Sequence, residues 1–256
     1  MFRFFVVNTK KEFIYLKRYL SNNILELVIF FILMITLLGG IDFFSSAKDV
    51  ESNKQYLILS YLLWYLSLTM TQGIANDLLT EANQGTLEQL SLSKYSLEKI
   101  YFIKMNTNLL VELLFIITML CAALLFTGVS FKFNFESFII VFPMIVIYLF
   151  GMAYIICALS VIFKNISSFL QIYQFLMMLI IFTLYTKFVF LKYLPLNYIV
   201  TIYRETIINK EFLLDVIDVN SIFVSYIHSI IYFIIGIIAF HKAIIYSKKN
   251  GLLGHY

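Results

Sequence analysis

FIIVFPMIVIYLFGMAYIICALSVIF, residues Phe138–Phe163, runs for 26 residues without an Asp, Glu, Lys or Arg. About 20 apolar residues in a helix suffice to cross the hydrocarbon core of a bilayer. Five further apolar runs are long enough to do the same: Ile24–Phe44, Tyr56–Ile74, Met105–Thr127, Phe169–Phe190 and Ile222–Tyr246. The whole chain follows suit, at 61% apolar, 13% charged and a mean hydropathy of +0.90. Ordinary globular domains are about 45–50% apolar and about 25% charged, so the solvent for most of this chain is lipid. With 27 Phe and 18 Tyr against 2 Pro and 9 Gly, long helices fit better than a turn-rich barrel. The reading is an all-α integral membrane protein of six transmembrane helices, a single domain over residues 1–256 without an internal repeat or a flexible linker.

Basic residues set the expected orientation, because positive loops stay cytoplasmic. With the N-terminus inside, 12 of the 19 Lys and Arg fall on the cytoplasmic side, among them Lys10, Lys11, Lys94, Lys99, Lys248 and Lys249. Eight of the 15 acids, including Asp42, Glu136, Glu211 and Asp218, fall outside. Both termini are expected in the cytoplasm of a bacterial cell. The small residues Ser45 and Ala47 after the first run are the one feature of a cleaved signal peptide. The long segment before that run and its full spanning length argue for an uncleaved first span. Residues 1–23 read as an interfacial amphipathic helix: Val6, Phe13, Leu16 and Leu20 share one side, with Lys10, Lys11, Lys17 and Arg18 on a neighbouring arc. The alternative is a plain extension of the first span into water.

Residues 75–104, between spans two and three, carry the most informative polar pattern. Gly85 interrupts whatever helix leaves span two. Thr86 followed by Gln89 has the spacing of a capping box, and Glu88 in the first turn suits the helix dipole. The expectation is a short cytoplasmic helix exposing Leu87 and Leu90, either to dock a partner or to fold back on the bilayer. Ser96 and Glu98 can start the next helix.

The run Glu81-x-x-x-Gly85-Thr86-Leu87-Glu88-x-Leu90 resembles the signature of the type-two family of ATP-binding-cassette export permeases. Leu194-Pro195, opening the outer segment 191–221, and the basic, glycine-containing tail Lys249–Tyr256 are similar to features of the same family. One departure is Ser93-Lys94, where members often have Ser-Pro. The resemblance implies a coupling helix seated in a groove of a separate ATPase subunit, which binds ATP and Mg. It also implies a second permease half, identical or related. The function it implies is outward movement of an amphipathic substrate (peptide, drug or lipid-linked molecule) by alternating access.

The chain itself offers no engine. No glycine is followed by Lys, so the Gly-x-x-x-x-Gly-Lys-[Ser/Thr] phosphate loop is missing. Neither a Gly-x-Ser-x-Gly nor a His-Glu-x-x-His occurs, which weighs against the rival reading of an intramembrane enzyme. A non-transporting immunity or binding protein with the same spans stays open. No cofactor, metal or nucleic-acid partner is expected; His228 and His241 are too far apart for ligands and read as buried, satisfied histidines. Cys121 and Cys157 read as small hydrophobes.

Charges inside a membrane mark function by default. Glu26, at the inner end of span one, reads as structural because it can reach the interface. Lys104, Asn108 and Glu112 form an i, i+4, i+8 stripe on span three. Asn108 and Glu112, with Gln171 and Gln174 in span five, either line a path or bond a neighbouring helix. Tyr203, Arg204 and Glu205 are candidates for an outer gate, or else anchor the segment to headgroups.

Overall fold

The computed structural model describes residues 2–44, 50–130, 135–163, 166–183, 194, 196–200 and 219–251. Among them every long element is an α-helix: α1 (Phe2–Arg18), α2 (Leu20–Phe44), α3 (Val50–Asn83), α4 (Thr86–Ser91), α5 (Leu97–Thr127), α6 (Phe135–Ile162), α7 (Ser167–Phe182) and α8 (Val219–Lys249). Five of these, α2, α3, α5, α6 and α8, are long and apolar enough to cross a membrane. The expected fifth span is represented by α7, 16 residues of apolar helix, and its remainder lies outside the described residues. So do Pro195, the candidate gate Tyr203, Arg204 and Glu205, and the tail beyond Gly251.

Helices α3 and α6 form the centre. Their apolar windows are 72% and 56% buried, against 11% for α2 and 17% for α8. Lipid takes the place of protein on the outer helices, which is why Ile29, Ile32, Phe175, Ile231 and Ile234 stand exposed. The outer helices attach to the centre by packing and by hydroxyls that reach helix carbonyls, the usual polar glue in lipid. Tyr61 of α3 donates to the Phe30 carbonyl of α2 at 2.7 Å. Ser67 of α3 and Tyr173 of α7 share a bond at 2.9 Å, and the Trp64 indole N–H reaches the Gln174 carbonyl at 3.3 Å.

The most extensive contact joins α6 and α8. Gly151 of α6 and Gly236 of α8 meet backbone to backbone. A Cβ on Gly151 would stand 2.6 Å from the Phe233 nitrogen, and one on Gly236 would run into the Gly151 carbonyl oxygen. Small residues at such a crossing let two helix axes approach closely. Rings close the seam on either side, with Tyr148 on Tyr232 at 5.1 Å and Tyr154 on Phe240 at 5.6 Å between centroids.

At 34 residues, α3 is about 51 Å long, well beyond the roughly 30 Å hydrocarbon core. Its last turns therefore stand clear of the apolar layer, and α4 sits beyond them. The start of the chain and the end of α8 arrive at this same end. Phe4 packs its ring 6.5 Å from Tyr95, and Lys248 reaches the Ser91 carbonyl at 3.4 Å. Helix α1 lies along α5, where Asn8 donates to Thr107 at 3.4 Å. It passes into α2 without a loop: the Tyr19 and Asn23 amides bond the Tyr15 and Tyr19 carbonyls at 2.9 and 3.0 Å. Val6, Phe13 and Leu20 are exposed beside Lys10, Lys11, Lys17 and Arg18, with Leu16 half-buried.

Candidate coupling site

The elbow between α3 and α5 is built from the turn outward. Gly85 takes φ 70°, a left-handed conformation that costs an L side chain about 1 kcal/mol or more. The chain thus stops α3 and restarts as α4 within two residues. Gly85, and not Thr86, occupies the N-cap position, and no side chain caps the helix. The expected Thr86–Gln89 capping box does not form. The Thr86 hydroxyl turns back instead and bonds Glu81, at its backbone carbonyl (3.0 Å) and at its carboxylate. Gln89 is left exposed. A competing acceptor one turn upstream has captured the hydroxyl that the capping box would use.

Leu87 also departs from expectation. It is 0% exposed, packed into the core beneath α4, while Leu90 is half-buried against the same core. The apolar side chain that does project is Leu92, 81% exposed, next to exposed Glu88, Gln89 and Lys94. Sequence reasoning missed Leu92 because it follows the short helix and shares no periodicity with it.

Underneath, Lys104 of α5 is buried. Its ammonium bonds Asp77 at 2.6 Å and Glu81 at 3.1 Å, both on the last turns of α3. It also stands 5.0 Å from the Tyr101 ring centre, a cation–π contact. These groups lie outside the apolar spans 56–74 and 105–127. Burial alone would raise the Glu81 carboxyl, but the Thr86 hydroxyl and the Lys104 ammonium hold it below the ordinary carboxylate value. Burial would likewise lower Lys104, and Asp77 and Glu81 together hold it above the usual lysine value. Glu12 of α1 lies within electrostatic reach of both Asp77 and Lys104. One cation therefore ties α3 and α5 together directly behind the Gly85 turn.

A second tie fixes the start of α5. Ser96 has the extended backbone of an N-cap. The Glu98 carboxylate accepts from the His241 ring Nδ1–H of α8 at 2.6 Å, and its backbone carbonyl accepts from Tyr154 of α6 at 2.7 Å. His241 is 60% exposed in this pair, which corrects the reading of a buried histidine. Among the described residues no group of three or more His, Cys, Asp or Glu gathers as a metal site would require.

The polar stripe of α5 is not one network. Lys104 turns to the elbow. Asn108 contacts the Met70 sulfur at 3.6 Å, in room left by Gly73. Glu112 faces Tyr65 and Thr69 deeper in α3. Gln171 is exposed on α7 and Gln174 half-buried there; of the two, Gln174 touches α3 through its backbone carbonyl, which accepts from Trp64, so the glutamines and the α5 pair do not form one cluster.

Long apolar helices around a buried α3–α6 pair, with an ion-paired elbow at one end, define a multi-pass helical membrane protein. A family model described as ABC-2 family transporter protein matches residues 40–238, from the end of α2 to the last third of α8, and the chain belongs to that family. It is a membrane permease component of an ABC transporter, a class that works with an ATPase subunit. No curated relative and no solved structure matches the chain.

Proposed function

We propose that this permease is the membrane half of an ATP-driven exporter. In this reading, α4 seats in a separate ATPase that binds ATP and Mg, and a second permease half, identical or related, completes the pathway. Closure of the ATPases pushes α4, and the halves rearrange between inward- and outward-open states to release an amphipathic cargo outside. The nucleotide shifts that equilibrium only through contacts that differ between the two states.

One observation carries the reading: α4 is anchored, not hanging. Leu87 is sunk in the core, and Lys104 locks α3 to α5 immediately behind the turn. A force on the exposed surface of Glu88, Gln89 and Leu92 is therefore delivered to two long helices at once. The gathering of both ends of the described chain beside α4 supports a shared cytoplasmic side.

The docking surface can be tested without touching the anchor, since Glu88 and Leu92 are exposed. Glu88→Lys and Leu92→Asp together are expected to reduce co-purification of the ATPase subunit by at least tenfold, the loss of about 1.4 kcal/mol, with unchanged yield of folded permease. Undiminished recovery would place docking on another surface.

A further inference from the structure

Two turns below the elbow, α5 carries a carboxylate that the coupling machinery does not use. Glu112 is 9% exposed, and its Oε2 has no hydrogen-bond partner among the described residues. The Thr69 hydroxyl nearby donates to the carbonyl of Tyr65 at 3.1 Å, while the Tyr65 hydroxyl approaches the carboxyl group itself. Glu26 of α2 is close enough for its charge to act on Glu112, and its side chain is exposed.

A buried carboxyl oxygen without a donor, with a second acid within reach of its charge, calls for a positive partner. Among the described residues, the ion pairs involve neither Glu26 nor Glu112. Lys104 is eight residues and about 12 Å up the helix, already held by Asp77 and Glu81. What the chain does supply is aromatic surface. The Tyr65 ring packs edge-on against Phe30 at 4.9 Å, and Phe30 against Trp64 at 6.3 Å. Carboxylates beside aromatic rings suit an organic cation, and an acceptor oxygen without a donor suits one that carries N–H groups.

We propose that Glu112, Glu26 and Tyr65 form an intramembrane receptor for the primary ammonium group of an amphipathic cargo, entered sideways from the bilayer across α2. Its alkyl part stays in lipid along α2, whose apolar window is only 11% buried. The ammonium donates to Glu112 Oε2, and Glu26 draws it in from the lipid side. This deepens the permease reading, on which it rests, by giving the substrate a charge and a head group.

Trp64, the only tryptophan of the chain, reports on the site. The purified permease in zwitterionic nanodiscs is titrated at neutral pH with dodecylammonium, and in parallel with dodecanol and dodecyltrimethylammonium. A saturable change in Trp64 fluorescence is expected with dodecylammonium alone. Glu112→Gln should raise its half-saturating concentration by at least about tenfold, as removal of one partner of a buried charge pair does, and Glu26→Gln by less. Should Glu112→Gln fail to fold, Tyr65→Phe keeps the ring and is expected to weaken binding severalfold. An equal response to dodecanol, equal binding of the trimethylated amine, or unchanged affinity in the folded variants would overturn the receptor. Binding is read without an ATPase, so such a result leaves the exporter reading standing; that reading falls separately, with the Glu88→Lys and Leu92→Asp recovery.

Discussion

Replacing Gly236 by leucine is expected to cost at least about 3 kcal/mol, at or beyond the upper end for overpacking a well-filled core. The obstacle is backbone, not a flexible side chain. The first atom of any side chain at Gly236 meets the Gly151 carbonyl oxygen, and one at Gly151 meets the backbone of Tyr232 and Phe233. Relief requires α6 and α8 to separate along their most extensive seam. That movement also strips the ring contacts of Tyr148 with Tyr232 and Tyr154 with Phe240. Gly236→Ala already carries the clashing Cβ, so it should lose about 2–3 kcal/mol, most of the leucine effect, and Gly151→Leu should match Gly236→Leu. Thermal melting in mild detergent, followed by size-exclusion profile, measures the series. A leucine variant that melts with the parent would mean that the two helices are not in contact at this crossing.

Lys104→Met is the second large effect. Methionine fills the same volume but leaves Asp77 and Glu81 facing each other without their cation. Breaking a buried pair from one side costs about 3–5 kcal/mol; the lower figure, about 3 kcal/mol, applies because the Asp77 side chain stays 34% exposed. Lys104→Met combined with Asp77→Asn should recover part of the loss, since a neutral amide removes the like-charge contact. The pH dependence follows from the directions of the two shifts. Glu81 is held low, so its contribution is present above the ordinary carboxylate pKa of about 4.3 and is lost as pH falls through its lowered folded value. Lys104 is held high, so its contribution is complete below about 10.4 and is lost as pH rises through its raised value. The stability gap between parent and Lys104→Met should thus be flat from about pH 5 to about pH 10 and close on either side. A gap that varies across that plateau would contradict the pairing.

The spans were legible because a bilayer imposes one crude demand, length times apolarity, and runs such as Phe138–Phe163 meet it whatever their neighbours are. The elbow was legible as a break at Gly85, since only glycine takes φ 70° without strain. Which side chains it presents was not. Leu87 and Leu90 look alike on a helical wheel, and only packing beneath α4 decides that Leu87 is sunk and that Leu92, past the helix end, projects. The capping box failed for a related reason: Glu81 competes for the Thr86 hydroxyl, and that competitor becomes visible only once α3 is known to run to Asn83. Asp77 could not be paired with Lys104 from sequence, because nothing in a 27-residue separation gives the rotation of one helix against another. Gly151 and Gly236 carried a weak signal, lone glycines in spans of large side chains, that becomes meaningful once α6 and α8 are known to be partners.

An exporter permease coupled at α4 requires the turn carrying Gln89 to project from the membrane on the cytoplasmic side, where an ATPase can push it. Gln89 is exposed, and a cysteine there can be read cleanly once the exposed Cys121 is replaced, since Cys157 is buried. A membrane-impermeant maleimide should leave Gln89→Cys unlabelled in intact cells and label it fully in inverted membrane vesicles. Labelling in intact cells would put α4 on the outer face and contradict its role as the point of ATPase coupling.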